Sequence, residues 1–174
     1  MASGHGPRAH FVALRAFAGR AALADGYAAL FLRLLTEFRE RDGFRVHAYV
    51  VLPARAGLVL ALSDRDAGAA RALVQRIAAR HARTLHAATG WPGRVFHDDL
   101  AVAGVETAAA IARRAAALHR LPVQAGLARR PSAWPWSSAR AWTGQGDPPA
   151  PVDLPEEAVR AAGDRSRPTL PISG

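Results

Sequence analysis

Apolar positions change their period several times along the chain, and each change marks an element. Residues 10–17 (HFVALRAF) form a short apolar-rich run that predicts a first strand. Asp25 suits a helix N-cap, and after it Tyr27, Leu30, Phe31, Leu34, Leu35 and Phe38 recur at the spacing of one helix face. This helix is expected to reach Asp42 and to stop at Gly43, a residue free to take the left-handed conformation of a C-cap. Residues 44–52 (FRVHAYVVL) are β-branched and aromatic, which predicts a strand, and residues 53–57 read as a turn. Residues 58–62 (LVLAL) are apolar throughout, as in a central strand buried on both faces.

A second helix is expected from Asp64 or Asp66 to about Thr89, with Leu73, Val74, Ile77 and Leu85 on its apolar side. Arg76, Arg80 and Arg83 fall at i, i+4 and i+7 on a different face. After Gly90 and Pro92, Arg94 to Ala103 predicts a fourth strand. A third helix spans Glu106 to about Arg120, where Pro122 is expected to end it. Strand, helix, strand, strand, helix, strand and helix pack most simply as an α+β domain of the ferredoxin-like, split βαβ kind. Its antiparallel sheet would have four to five strands and helices mainly on one face. From Gly144 the chain turns to Pro, Gly, Asp and Glu, so residues 1–143 are expected to fold and 144–174 to be a disordered tail with one helical turn near 156–162.

Charge sharpens this division. All 23 basic residues are arginine, so arginine serves every basic surface position and its number alone says little. Its distribution says more: residues 8–142 hold 20 Arg against 9 acids, whereas the part from Gly144 holds 3 against 5. A basic fold suits a polyanion partner, DNA or RNA. Cysteine is absent, which excludes disulfides and thiolate metal sites. No apolar run approaches the ~18 residues of a membrane span, and residues 1–10 do not read as a signal peptide. The expected location is the cytoplasm, with association to the nucleoid, and no membrane partner.

Four stretches, taken in order, carry a resemblance. They are residues 43–53 (GFRVHAYVVLP), 93–96 (GRVF), 118–127 (LHRLPVQAGL) and 134–140 (WPWSSAR). Together they resemble the REP-associated tyrosine transposases, relatives of the HUH-type single-tyrosine insertion-sequence transposases, over roughly residues 8–142. The resemblance implies a DNA strand-transfer fold in which two histidines on a central strand hold Mg²⁺ or Mn²⁺. A tyrosine on the last helix would attack a phosphodiester, and a polar side chain four residues later would help to hold the metal.

Aligned to these motifs, the chain has none of the four. The family's "PNHVH" turn reads PARAG here, which puts Arg55 and Gly57 in the histidine slots. The "YIHxN" segment reads ALHRL, which puts Ala117 in the nucleophile's slot and Leu121 in that of the assisting ligand. A guanidinium repels a cation, and Gly, Ala and Leu offer no donor. Tyr27 and Tyr49 lie on other elements and fit as core residues. His97, Asp98 and Asp99 have donor chemistry, yet alternation along a strand lets only His97 and Asp99 converge. His47 and His119 match family positions that are not catalytic, while His81 and His86 have no matched partner and default to the surface.

The expectation is therefore a transposase-like pseudoenzyme with no cofactor, one that binds hairpin or single-stranded DNA, such as repeated palindromes, without cutting it. The candidate contacts are Arg55, Arg76, Arg80, Arg83, Arg113, Arg120 and Trp136. Arg113 and Arg120 flank Ala117 at helical spacing and would join Arg55 in a phosphate pocket. Trp134 and Trp136 suit either base stacking or packing of the C-terminal segment. By resemblance a monomer is expected rather than a dimer. Two rival readings are an active metal-dependent transposase or nuclease with a rebuilt site, and a folded relic acting through protein interactions.

Overall fold

The computed structural model describes residues 8–164. Along the chain come β1 (Ala9–Arg15), α1 (Gly26–Asp42), β2 (Arg45–Leu52), β3 (Arg55–Ala61), α2 (Ala67–Thr89), β4 (Ala101–Val105) and α3 (Ala108–Gln124), followed by the short α4 (Ala139–Trp142) and α5 (Glu156–Asp164). The strands lie in the order β2-β3-β1-β4 with every neighbouring pair antiparallel. β1 and β2 therefore run parallel with β3 between them, which is the expected split βαβ arrangement.

Alternation along the strands divides the core in two. Val12, Leu14, Tyr49, Val51, Ala56, Leu58 and Leu60 pack with Phe31, Leu35, Val74 and Ile77 of α1 and α2. Ala48, Val50, Leu52 and Val59 pack on the other side with Ile111, Ala115 and Leu118 of α3. The sheet is thus covered by α1 and α2 on one face and by α3 on the other.

Several ends follow from local chemistry. Gly43 closes α1 at φ 71°. The Asp66 carboxylate accepts the Ala69 N–H at 3.2 Å, and the Thr107 hydroxyl accepts the Ala110 N–H at 3.1 Å. Asp25 differs from expectation: it holds φ 45°, ψ −115° and makes no side-chain cap bond, because a cap of that kind needs extended backbone. Pro122 does not end α3, which continues to Gln124. In the last turn the proline frees only one carbonyl from its bond, and its buried ring adds to the core. The turn between β2 and β3 is only Pro53 and Ala54, so β3 begins at Arg55 rather than at residue 58.

The fourth strand also starts later than expected, at Ala101 instead of Arg94. Val95, Phe96 and Leu100 do enter the core. They do so on an irregular segment that wraps the end of β1, with Phe17 N–H donating to Val95 O at 2.7 Å and His97 N–H to Arg15 O at 3.0 Å. Apolar content showed that this stretch is buried, but not that it lacks a ladder.

The disorder expected from Gly144 is corrected over residues 144–164; residues 165–174 of that expectation lie outside the described chain. Ala150 is buried, with its N–H and C=O both bonded to the Tyr49 hydroxyl at 3.0 and 3.2 Å. Asp153 exchanges backbone bonds with β2: its N–H donates to Val46 O at 2.7 Å and its C=O accepts from His47 Nδ1 at 2.6 Å. Its carboxylate takes Arg39 at 2.6 and 3.0 Å and the Val46 N–H at 2.9 Å. Burial raises the Asp153 pKa, but Arg39 and the Val46 N–H outweigh it and hold the carboxyl below its ordinary range. Proline content excluded a long helix without excluding a strap held by backbone bonds. Asp153→Ala is expected to cost about 1–3 kcal/mol of stability in urea denaturation and to speed proteolytic cleavage between Thr143 and Asp153.

Candidate nucleic-acid interface

The face of the sheet that meets α3 is only half covered. α3 lies over β2 and β3, where Leu118 packs against Gly57. The β1 and β4 half is left as a shelf floored by Phe11, Ala13, Ala101 and Ala103, all of them half-buried or exposed. Small floor residues let a ligand backbone approach the sheet closely.

Of the four positions named by the resemblance, Arg55 and Gly57 lie on β3, and Ala117 and Leu121 lie on α3. Arg55 and Gly57 alternate with Ala56 and so face α3. A Cβ on Gly57 would fall inside the Leu118 side chain and 3.6 Å from Phe11. The space that a side chain at 57 would use is therefore filled from the helix. Ala117 is exposed beside the shelf, and Leu121 packs half-buried on the same core. None of these side chains can donate to a metal.

Cations stand in place of donors. Arg15 lies directly opposite Arg55 in the β1–β3 ladder, both exposed on the α3 face. Like charges in that position repel and destabilise a sheet unless an anion sits between them. Asp99 reaches Arg15 at a loose 3.5 Å, and Arg55 has no ion pair among the described residues. Arg114 lies over the Phe11 ring at 4.7 Å. Arg113 lines a cavity of about 580 Å³ with Arg114, Ala117 and Glu106. That cavity does not include Arg55 or Arg120, and Arg120 is exposed.

At the Arg15 end of the shelf Phe17 is 39% exposed. The His97 ring lies 5.2 Å from it and the Arg94 guanidinium 5.7 Å. Ala18 next to it holds φ 53°, a left-handed conformation that costs a non-glycine residue about 1–2 kcal/mol. Arg15, Arg114 and Phe17 were not singled out from sequence. A signal for Arg114 did exist, since it precedes Leu118 by one helical turn.

The remaining candidates lie elsewhere. Arg76, Arg80 and Arg83 are exposed on α2, in the layer on the opposite face of the sheet. Trp136 packs half-buried against the α1/α2 core while its C=O accepts the Val51 N–H at 2.8 Å, so it continues the β2 edge. Trp134 and Trp142 donate their indole N–H groups to Val51 O and His47 O, both at 2.9 Å. Packing explains this segment.

Substitute chemistry fares no better. Tyr49 is fully buried, and burial pushes its hydroxyl pKa well above the usual range. Tyr27 packs against the core with its ring edge-on to His81. His81 is not a surface residue: it is fully buried beside Tyr27, Phe31 and Phe96, and its Nε2 meets Ala22 O at 2.8 Å. His86 lines a cavity with His97, Arg94 and Gln75. His97 and Asp99 stand 3.9 Å apart, on an irregular segment and not on the expected strand, while Asp98 pairs with Arg94 at 3.0 Å. Among the described residues no three His, Asp or Glu side chains converge as metal ligands, and no helix is long and apolar enough to cross a membrane.

A four-stranded antiparallel ferredoxin-like sheet with an additional helix across its second face defines the class. Within it, the chain shares the fold of a solved structure of the REP-associated tyrosine transposase bound to a REP hairpin. The likeness covers 86% of this chain and 87% of that one, with a TM-score of 0.66 and 17% identity. A candidate transposase from Deinococcus radiodurans R1 matches over 60% of this chain and 86% of its own, with a TM-score of 0.48 and 18% identity. No family model and no curated protein matches the chain.

Proposed function

We propose that this chain binds hairpin or single-stranded DNA on the β1–β4 shelf and does not cut it. The observation that carries this reading is Arg15 facing Arg55 across the ladder, beside a slot at Gly57 that Leu118 fills. A cation has no ligands there, whereas a phosphodiester meets two guanidiniums, with Arg114 farther along the shelf. Phe17 offers an exposed ring on which an unpaired base stacks. The shared fold supports DNA as the polyanion, because the solved transposase is described bound to a hairpin.

The test is fluorescence anisotropy with a hairpin carrying a single-stranded flank, run with EDTA and with Mg²⁺ or Mn²⁺. Binding without the divalent ion, no tighter in its presence, and an intact oligonucleotide are expected. Arg15→Ala with Arg55→Ala is expected to weaken binding and to lower the slope of log K against log salt by about two, one per lost phosphate contact. Metal-dependent cleavage, a covalent protein–oligonucleotide adduct, or no binding at all would overturn the reading.

A further inference from the structure

The arginine row of α2 belongs to a different surface. Arg76, Arg80 and Arg83 line a groove of about 480 Å³ with Glu37, Phe38 and Arg41 of α1. Its floor is the Phe38 ring, with the Arg41 guanidinium 4.3 Å and that of Arg76 5.7 Å from the ring centroid. One carboxylate holds both arginines, Asp42 accepting from Arg41 at 2.6 and 3.1 Å and from Arg76 at 2.8 Å. Arg80 and Arg83 are exposed and have no ion pair among the described residues. Glu37 sits 3.8 Å from Arg33. Four guanidiniums thus share the groove with two carboxylates, and the two farthest along α2 are unpaired.

We propose that this groove grips the sugar–phosphate backbone of a second DNA segment, so that one chain bridges two DNAs. The argument has two parts. Seven residues of helix advance roughly 10 Å, so the row from Arg76 to Arg83 holds several guanidiniums along a stretch over which one DNA strand carries a phosphate every ~3.4 Å of axis. A folded acidic protein has no such repeat. The groove also belongs to the α1/α2 layer, and the whole sheet separates that layer from Arg15, Arg55 and Arg114. One hairpin seated on the shelf leaves the groove open to another molecule. Gripping by the groove stands on its own geometry; bridging rests on the shelf reading proposed above.

The test uses the full chain with a bead-bound hairpin and a fluorescent plain duplex, and reads duplex captured in the presence of the chain. Arg80→Glu with Arg83→Glu is expected to reduce capture at least tenfold while leaving the anisotropy of hairpin binding unchanged. Both side chains are exposed, and an unchanged circular dichroism melt checks the fold. Light scattering of the captured complex is expected to give one chain per two DNAs. The bridging proposal is overturned if the variant captures as much duplex as the unaltered chain, if it also loses the hairpin, or if capture requires two chains. Hairpin binding lost in Arg15→Ala with Arg55→Ala, but not in Arg80→Glu with Arg83→Glu, assigns the first site to the shelf. If Arg15→Ala with Arg55→Ala leaves hairpin binding unchanged while binding of a plain duplex depends on Arg80 and Arg83, the shelf reading fails and the groove stands.

Discussion

Gly57→His is expected to destabilise the fold by about 3 kcal/mol, because the space for that side chain is already occupied. Gly57 needs no unusual backbone: it sits within β3, paired with Ala13 and Val50. Glycine is required there because the Leu118 side chain lies where a Cβ would go. Leu118 is itself buried, so it cannot swing into solvent. Leu118→Ala alone is expected to cost about 2–5 kcal/mol through the cavity it leaves. The two changes combined should cost less than their sum by about 1–3 kcal/mol, since each relieves the other. A β-branched side chain at position 118 projects differently from leucine. Leu118→Ile is therefore expected to rescue part of the loss. Urea denaturation of the two single variants and the double variant measures the coupling. A neutral Gly57→His would show that the position is open to a side chain, and additive costs would show that Leu118 does not fill it.

This coupling also explains which parts of the site were legible in the sequence. Arg55, Gly57, Ala117 and Leu121 could be named because the motif blocks that carry the resemblance flank them; in the structure Arg55 and Gly57 face α3, Leu121 packs half-buried on that side and Ala117 is exposed on the helix. The filling of the slot was not legible, because the same Leu118 reads as ordinary core at helical spacing. Arg15 gained meaning only from register, since nothing in residues 9–15 shows that it faces Arg55. Phe17 looked like the last residue of a strand, but the chain turns away through Ala18 in the left-handed region and leaves the ring exposed. Arg113 and Arg120 share a helix face with Ala117. In the structure Arg113 and Ala117 meet the end of β4 and not Arg55, and helical spacing cannot say which neighbour a face meets.

The fold was legible where period and caps agreed. α1, α2 and β2 came out at nearly their observed bounds because apolar spacing, Gly43 and Asp66 each point the same way. It was less legible where long-range bonds override local preference. Residues 94–100 bond to the end of β1 instead of extending a strand, and residues 144–153 are fixed to Val46, His47 and Tyr49 across a separation of about a hundred residues. The WPWSS segment belongs with these. Its serine Oγ at Ser138 accepts the Tyr49 N–H at 2.9 Å and lies 3.2 Å from Tyr49 O and 2.8 Å from His119 Nε2. Trp134 and Trp142 tie its two sides to β2. What holds such segments is the partner, and the partner is set by the fold.

His119 makes that segment sensitive to acid. The hydroxyl of Ser138 has one proton to give; with that proton on Tyr49 O, the ring of His119 donates its Nε2–H to Ser138. Burial keeps the ring neutral and lowers its pKa to about 4. Burial also lowers the pKa values of His47 and His81, His47 beside the Asp153 carbonyl and His81 beside that of Ala22. A depressed histidine pKa means that the unfolded chain binds the proton first. The contribution is therefore complete above the unfolded value near 6.5 and is lost as pH falls toward 4. For His119 the loss is about 3 kcal/mol at most, and His47 and His81 add to it with the same sign. Asp153 works in the same direction at lower pH, where its Arg39-paired carboxylate takes up a proton. Urea midpoints measured from pH 7.5 to 4.5 should fall steadily, and His119→Gln should flatten that slope while lowering the midpoint at pH 7.5. The Trp142 ring, edge-on to His119 with centroids 6.2 Å apart, supplies a fluorescence signal for the local event. A midpoint that stays constant over this range would mean that the ring is not held neutral by the fold.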